Sequence, residues 1–317
     1  MTKYRPAEKS QSGRFVRTML PGILIVLVGF LVLFTILVYK VSYPGVSTEA
    51  VTPSQYILPH EDVLIPVKDG KTISAWWVPG QKGAPGIILA TGYGMSRADA
   101  LSMAVSLNQK SFNLLIFDQR GSGVNPRGIS SLGLKETSDM ADTVRFLKER
   151  PDSNPDRIGI WGVDASAFAA LKTAGDFPEV QAIVADSPFL TVSDFLNYRL
   201  AEDFGISSKI IQFVCNKVFS LFYAFGSPSK DYTLPVRSLA DKSILFIKGG
   251  TRAGMEALAD AVYEAVEPRK EMYAIVDRVH TMSGEILREY DLQVTTFFQL
   301  NLPTDMQPEF SINSQNQ

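Results

Sequence analysis

Six short, nearly continuous apolar runs, separated by longer segments of helical periodicity, constrain this chain most. They fall at residues 86–91, 113–118, 157–163, 180–186, 243–248 and 271–277. A strand that is apolar at every position, rather than at alternate ones, has to be covered on both faces. Segments 97–109, 134–150, 166–175, 255–266 and 284–300 can supply that cover as helices. Strands alternating with helices pair in parallel through crossovers. The sequence therefore predicts an α/β domain with a mostly parallel sheet and helices on both faces. Two more β-rich runs, 61–67 and 71–78, flank Asp69-Gly70, a hairpin signal. They are expected as an antiparallel N-terminal hairpin at the sheet edge.

The rhythm breaks once, at 188–241. The apolar content there (Phe195, Leu196, Leu200, Ile210, Ile211, Phe213) predicts a small helical cap over the carboxyl edge of the sheet. Open α/β sheets bind ligands at that edge, so a small-molecule ligand is expected under the cap. The domain as a whole is expected over 61–302, with 303–317 as a flexible polar tail.

Residues 18–39 carry no charge. About 20 helical residues cross a hydrocarbon layer of roughly 30 Å. The apolar core of a signal peptide is shorter, about 7–15 residues, and normally precedes a small-x-small cleavage site; no clear site follows here. A transmembrane anchor is therefore expected over 18–40, after a basic tail (1–17) and before a linker (41–60) containing Pro44, Gly45, Pro53 and Pro59. Lys3, Arg5, Lys9, Arg14 and Arg17 precede the span, and only Lys40 follows closely. That bias puts the N-terminus in the cytoplasm and the domain outside a cell membrane. Since no Asn-x-Ser/Thr acceptor occurs, the pattern leans towards a bacterial envelope. The lipid bilayer is the partner expected through 18–40.

Charge removes other classes. With 31 basic and 33 acidic residues and a pI near 5.8, the chain has no broad cationic field to attract nucleic acid. Cys215 is alone, so no intrachain disulfide can form, and its apolar setting predicts burial. His60 and His280 are the only histidines, and no His/Cys cluster has metal-ligand spacing. Neither a metal nor a cofactor is expected.

Four segments carry chemistry. Ala90-Thr91-Gly92-Tyr93-Gly94-Met95-Ser96 follows the first core strand. Phe117-Asp118-Gln119-Arg120-Gly121-Ser122-Gly123 follows the next. Gly162-Val163-Asp164-Ala165-Ser166-Ala167 turns from strand to helix, and Val279-His280 follows the last strand. In that order they resemble the α/β-hydrolase superfamily, in particular its membrane-anchored serine-aminopeptidase-like and esterase-like branch, over roughly residues 63–300. The resemblance implies the α/β-hydrolase fold. It also implies an oxyanion hole from the backbone amides of Tyr93 and Ala165, a base at His280, and a bracing role for Asp118 and Arg120. Asp186, in Ala185-Asp186-Ser187-Pro188, is the acid that could orient His280; the loop after residue 248, where the family commonly carries it, has no carboxylate before Glu256.

At the nucleophile elbow the family pattern is Gly-x-Ser-x-Gly. Here Asp164 takes the serine's place and Ser166 that of the second glycine. Three readings of the turn stand side by side. Asp164 can be a helix N-cap, its carboxylate accepting amide hydrogen bonds. It can be a carboxylate nucleophile, as in the superfamily's haloalkane dehalogenases and epoxide hydrolases. Alternatively, Ser166 can be a displaced nucleophile. These alternatives leave two functions open. One is a degenerate, non-catalytic or weakly active hydrolase-fold protein that binds a ligand or partner at the membrane. The other is a hydrolase using Asp164 and His280 on an epoxide- or haloalkane-like substrate.

Overall fold

A computed structural model of the chain describes residues 11–45, 51–123, 128–224, 233–249, 253–267, 270–275 and 282–304. Strands β1 (Glu61–Pro66) and β2 (Thr72–Val78) form the expected antiparallel hairpin. β2 then pairs, again antiparallel, with β4 (Asn113–Phe117). The rest of the sheet is parallel: β3 (Ala84–Ala90), β5 (Ser153–Val163), β6 (Val180–Asp186), β7 (Ser243–Gly249) and β8 (Lys270–Ile275). The strand order is β1-β2-β4-β3-β5-β6-β7-β8. Every residue of β3 and β4 is buried, as runs without polar alternation require.

Alternate residues of one strand serve two separate cores. Ile88 and Ala90 of β3 pack with α3 (Leu134–Lys148), α4 (Ala165–Ala174) and α7 (Ala253–Ala265). Ile87 and Leu89 pack with α2 (Leu101–Asn108) and α8 (Gly284–Asn301) on the other face. The segment 97–109 divides into a 3₁₀ turn, Arg97–Ala100, and α2, because Ser96 and Asp99 close a capping box at the start of the turn. β5 reaches back to Ser153, beyond the apolar run, through the polar residues Asn154 and Asp156.

The excursion after β6 folds as two helices, α5 (Val192–Phe204) and α6 (Lys209–Ala224). Cys215 is fully buried in the core beneath them. Preceding the sheet, α1 (Gln11–Ser42) contains a span, Met19–Ser42, of mean hydropathy 2.9, long and apolar enough to cross a membrane. The helix continues two residues past the expected end of the anchor. Val38, Val41 and Ser42 are buried against the domain.

One acidic group on the second face is held out of its ordinary range. Asp291 of α8 is buried, and burial pushes its carboxyl up to about 6 against the opposing hydrogen bond from Ser102. Ser102 Oγ donates to Oδ2 at 2.6 Å, while Oδ1 has no hydrogen-bond partner among the described residues. A folded pKa above the ordinary 3.8 means that folding favours the protonated acid. The stability is fully present below about pH 4 and declines as pH rises towards 6. Two units correspond to a penalty on the order of 3 kcal/mol above that window. Asp291→Asn, which keeps the shape without the charge, should unfold at a temperature several degrees above the parent at pH 8. Near pH 4 that margin should be almost gone. A thermal-denaturation margin of constant size across this range would contradict the assignment.

Candidate active site

The carboxyl edge of the sheet gathers the sequence-identified segments. β5 ends at Val163, and Asp164 turns the chain into α4 with φ 49° and ψ −113°. This is the sharp strand-to-helix bend of a nucleophile elbow, occupied by a non-glycine residue at positive φ, which costs energy. Backbone bonds hold it: Asp164 N donates to the Asp186 carbonyl at 2.9 Å, and Phe168 N donates to the Asp164 carbonyl at 3.1 Å. Gly162 is required by steric fit, since a Cβ there would lie 2.6 Å from the Ser166 carbonyl oxygen. Ser187, at the end of the adjacent strand, is likewise at positive φ (52°).

The capping reading of Asp164 is corrected by this geometry. Its side chain makes no cap hydrogen bond to α4. At these angles the carboxylate is lifted to the apex of the turn, where it is partly exposed. Ser166, by contrast, is fully buried. Its Oγ donates to the Thr91 carbonyl at 2.6 Å and accepts from Gln119 Nε2. Ser166 therefore stitches α4 to the loop after β3 and to the turn after β4, and its hydroxyl is turned away from the apex. Sequence reasoning missed Gln119; only the family turn around it marked the region.

The oxyanion-type loop lies against the elbow. A Cβ on Gly92 would sit 3.0 Å from Val163 Cγ1, which places Tyr93 beside the bend. Ala165, the first residue of α4, is fully buried. The Tyr93 hydroxyl donates to the Val41 carbonyl at the end of α1 at 2.6 Å. Burial pushes the Tyr93 phenol up; Arg199 pulls it down, while Asp203 and Asp164 push it further up. Arg199 of α5 lies 4.2 Å over the Tyr93 ring and donates to Asp203 at 2.8 Å. In sequence this is an ordinary i,i+4 pair, and nothing there marked Arg199 as a cation beside the site.

Asp186 ends β6 and is buried. Its Oδ1 accepts from Ser187 Oγ and its Oδ2 from the Tyr290 hydroxyl, both at 2.8 Å. Tyr290 in turn accepts from Trp161 Nε1 at 2.8 Å. Burial, with the Asp186 charge next, holds the Tyr290 phenol well above its ordinary range. The structure thus brings together Asp164, Tyr93, Ala165 and Asp186. His280, the expected base, lies outside the described residues.

The bracing turn after β4 has the role the resemblance implied. The buried Asp118 accepts from Arg97 N at 2.5 Å, and a side chain on Gly123 would run into its carboxylate. Arg120 reaches Asp139 of α3 at 2.6 Å and Asp69 of the β1–β2 hairpin at 3.2 Å. Over the elbow, Phe168, Phe189 and Phe195 stack at centroid separations of 5.0 and 4.6 Å, and Tyr93 meets Phe195 edge-on at 6.0 Å. This stack ties α5 to α4 through the core. A cleft of about 460 Å³ opens between α5 and α6, lined in part by Asn197, Gln212 and Asn216. Neither Asp164 nor Tyr93 lines it, so it is separate from the elbow. Among the described residues no group of His, Cys, Asp and Glu could hold a metal ion.

The comparisons agree with this architecture. A family model described as the alpha/beta hydrolase fold matches residues 85–223. An uncharacterised protein of Mycobacterium tuberculosis is 30% identical over 135 residues, 42% of this chain and 47% of that one. A thiohydrolase of Eupenicillium brefeldianum is 29% identical over 140 residues, 43% of this chain and 45% of that one. The match to this chain spans about half the length of these curated relatives. An esterase from Pyrococcus furiosus superposes with a TM-score of 0.64 at 24% identity, covering 83% of this chain and 99% of that one. With an elbow at the end of β5, an antiparallel leading hairpin and parallel strands beyond it, the chain has the α/β-hydrolase fold.

Proposed function

We propose that this protein is a bilayer-anchored, extracytoplasmic α/β-hydrolase-fold protein that binds a ligand or partner at its elbow without serine-type acyl transfer. One observation carries the reading: Asp164 keeps the positive φ of the nucleophile position, while the turn's own serine is buried and bonded elsewhere. Ester cleavage, the chemistry named in the esterase above, needs a nucleophile that gives a hydrolysable acyl-enzyme. A carboxylate would give an anhydride instead. An ionised Asp164 beside the amides of Tyr93 and Ala165 also opposes binding of an oxyanion there. The loop after β3 begins Thr91-Gly92 rather than His-Gly, a further departure from the hydrolytic pattern. Anchoring is supported by the apolar length of α1, and an extracytoplasmic domain by the basic residues before it.

A second reading is favoured by the backbone strain at residue 164, whose side chain makes no cap hydrogen bond to α4. In it, an Asp164 oxygen attacks a substrate carbon and expels a halide or opens an epoxide to its alkoxide, forming an ester. Water deprotonated by His280, itself oriented by Asp186, then cleaves that ester, releasing the alcohol and restoring the carboxylate. The proton taken by His280 passes to the epoxide-derived alkoxide or, after halide loss, to solvent. Trp76, Trp77 and Trp161 are all buried in the sheet, so none is placed as a halide donor, and epoxides fit this reading better. The full-length protein should take no fluorophosphonate label and no alkyl mass from panels of epoxides and haloalkanes. An intact-mass adduct that Asp164→Asn abolishes would replace the binding reading with the second one.

A further inference from the structure

The anchor helix and the cap are one packed unit. Phe34 and Leu37 of α1 pack against the domain's core and Val38 and Val41 are buried in it. The end of the helix is fixed at two further points: Tyr93 Oη donates to the Val41 carbonyl at 2.6 Å, and Ser130 N donates to the Ser42 carbonyl at 2.8 Å. The end of α1 is therefore held directly against the domain that carries α5 and α6. Among the residues whose side chains are described, the helix stands clear of the domain from Met19 to Leu33, where the large apolar side chains are roughly half exposed or more. At 1.5 Å per residue that is about 22 Å, against a hydrocarbon thickness of about 30 Å. The next turn or two, the part that packs on the cap, must therefore lie at the depth of the acyl–headgroup boundary.

α6, which packs on this end of α1, carries an exposed apolar surface. Ile210, Phe213 and Leu221 are 77%, 62% and 58% exposed. Their spacing of three and eight residues places them on one helical face, and Lys217 joins them with its Nζ 5.3 Å over the Phe213 ring. α6 carries Lys209 and Lys217 and no acidic residue. A helix with exposed aromatic and aliphatic side chains and lysines able to reach the headgroups is the kind that lies in a membrane interface.

We infer that α6 beds its Ile210–Phe213–Leu221 face in the outer boundary of the same bilayer that α1 crosses, giving the domain a second, monotopic membrane contact. The inference rests on the anchor reading above, and the experiment separates the two. Full-length protein in phosphatidylcholine–phosphatidylglycerol nanodiscs, in a Cys215→Ala background, is spin-labelled singly through Phe213→Cys, Leu221→Cys, Leu24→Cys or Leu292→Cys. Leu24, five residues past the start of the span at Met19, marks the hydrocarbon, and Leu292, 63% exposed on α8, marks the aqueous surface. The ratio of oxygen to nickel-chelate collisions at 213 and 221 should exceed that at 292 several-fold and approach that at 24. Values at 213 and 221 equal to that at 292, with 24 still deep, overturn the inference and leave the anchor intact. An aqueous value at 24 sinks both. Dipolar broadening between labels at 213 would put a second copy of the chain on this face and overturn the lipid assignment. Brominated-lipid quenching of Phe213→Trp gives the same reading without a label, because the native tryptophans are buried; absence of quenching there is equally fatal.

Discussion

Asp164→Ser should convert a protein that fluorophosphonate does not touch into one that it labels and that cleaves activated esters. The expectation follows from how the bend is held. Its two backbone hydrogen bonds do not involve the residue 164 side chain, and the tight approach at Gly162 involves only the backbone of Ser166 and Ala167. Serine is smaller than aspartate, so the positive φ and the stitch from Ser166 to Thr91 and Gln119 should both persist. What changes is the charge. Without a permanent carboxylate at the apex, the amides of Tyr93 and Ala165 face a position where an oxyanion can form, and one such donor is worth about 2.7–4 kcal/mol in the transition state. A second substitution, His280→Ala in the Asp164→Ser protein, should then lower the ester rate about 10²- to 10⁴-fold, the usual range for a general base. A folded Asp164→Ser protein, verified by circular dichroism, that neither labels nor turns over would mean that the machinery around the elbow has been lost as well as its nucleophile.

Much of this architecture is legible in the amino-acid order. The apolar runs place the strands because a strand buried on both faces has no freedom to be polar, and the Asp69-Gly70 turn marks the antiparallel edge. Gly162 and Asp164 could be located because only a small residue and a tolerated positive φ fit that bend. The contacts that hold the site resist such reading for a physical reason: each joins residues with no local pattern. Tyr290 and Asp186 are 104 positions apart, and Gln119 reaches Ser166 across 47. Nothing in a helix like α8 marks one tyrosine as the donor to a buried carboxylate. The docking of α1 was hidden differently. Val38 and Val41 would be apolar whether they met lipid or protein, so the sequence reads as span and tether where the fold makes a packed joint.

The second large effect concerns the brace rather than the apex. Arg120 and Asp139 are 8% and 3% exposed. Arg120 Nη2 donates to Asp139 Oδ1 at 2.6 Å, and its Nε lies 2.5 Å from Oδ2. Burial alone would pull the guanidinium pKa down, but Asp139, Glu136 and Asp69 outweigh it and the net shift is upward. The arginine is therefore held among carboxylates that need it. Arg120→Ala should cost about 3–5 kcal/mol, because it removes one member of a buried, hydrogen-bonded ion pair. Each kcal/mol lowers the melting temperature of a domain this size by about 2–4 °C, so a fall on the order of 10 °C is expected. Asp139→Ala should also be costly, yet the double variant should lose less than the two single losses added, since each single variant already removes the interaction the two residues share. Arg120 also ties the hairpin and α3 to the turn that carries Gln119 to Ser166, so its loss should loosen the elbow before the sheet melts. Faster amide exchange at residues 164–168, with unchanged protection in β3 and β4, would report that order. If Arg120→Ala cost less than about 1 kcal/mol, the pair would be behaving as a solvent-screened surface bridge, and the turn after β4 would not be what holds the elbow in place.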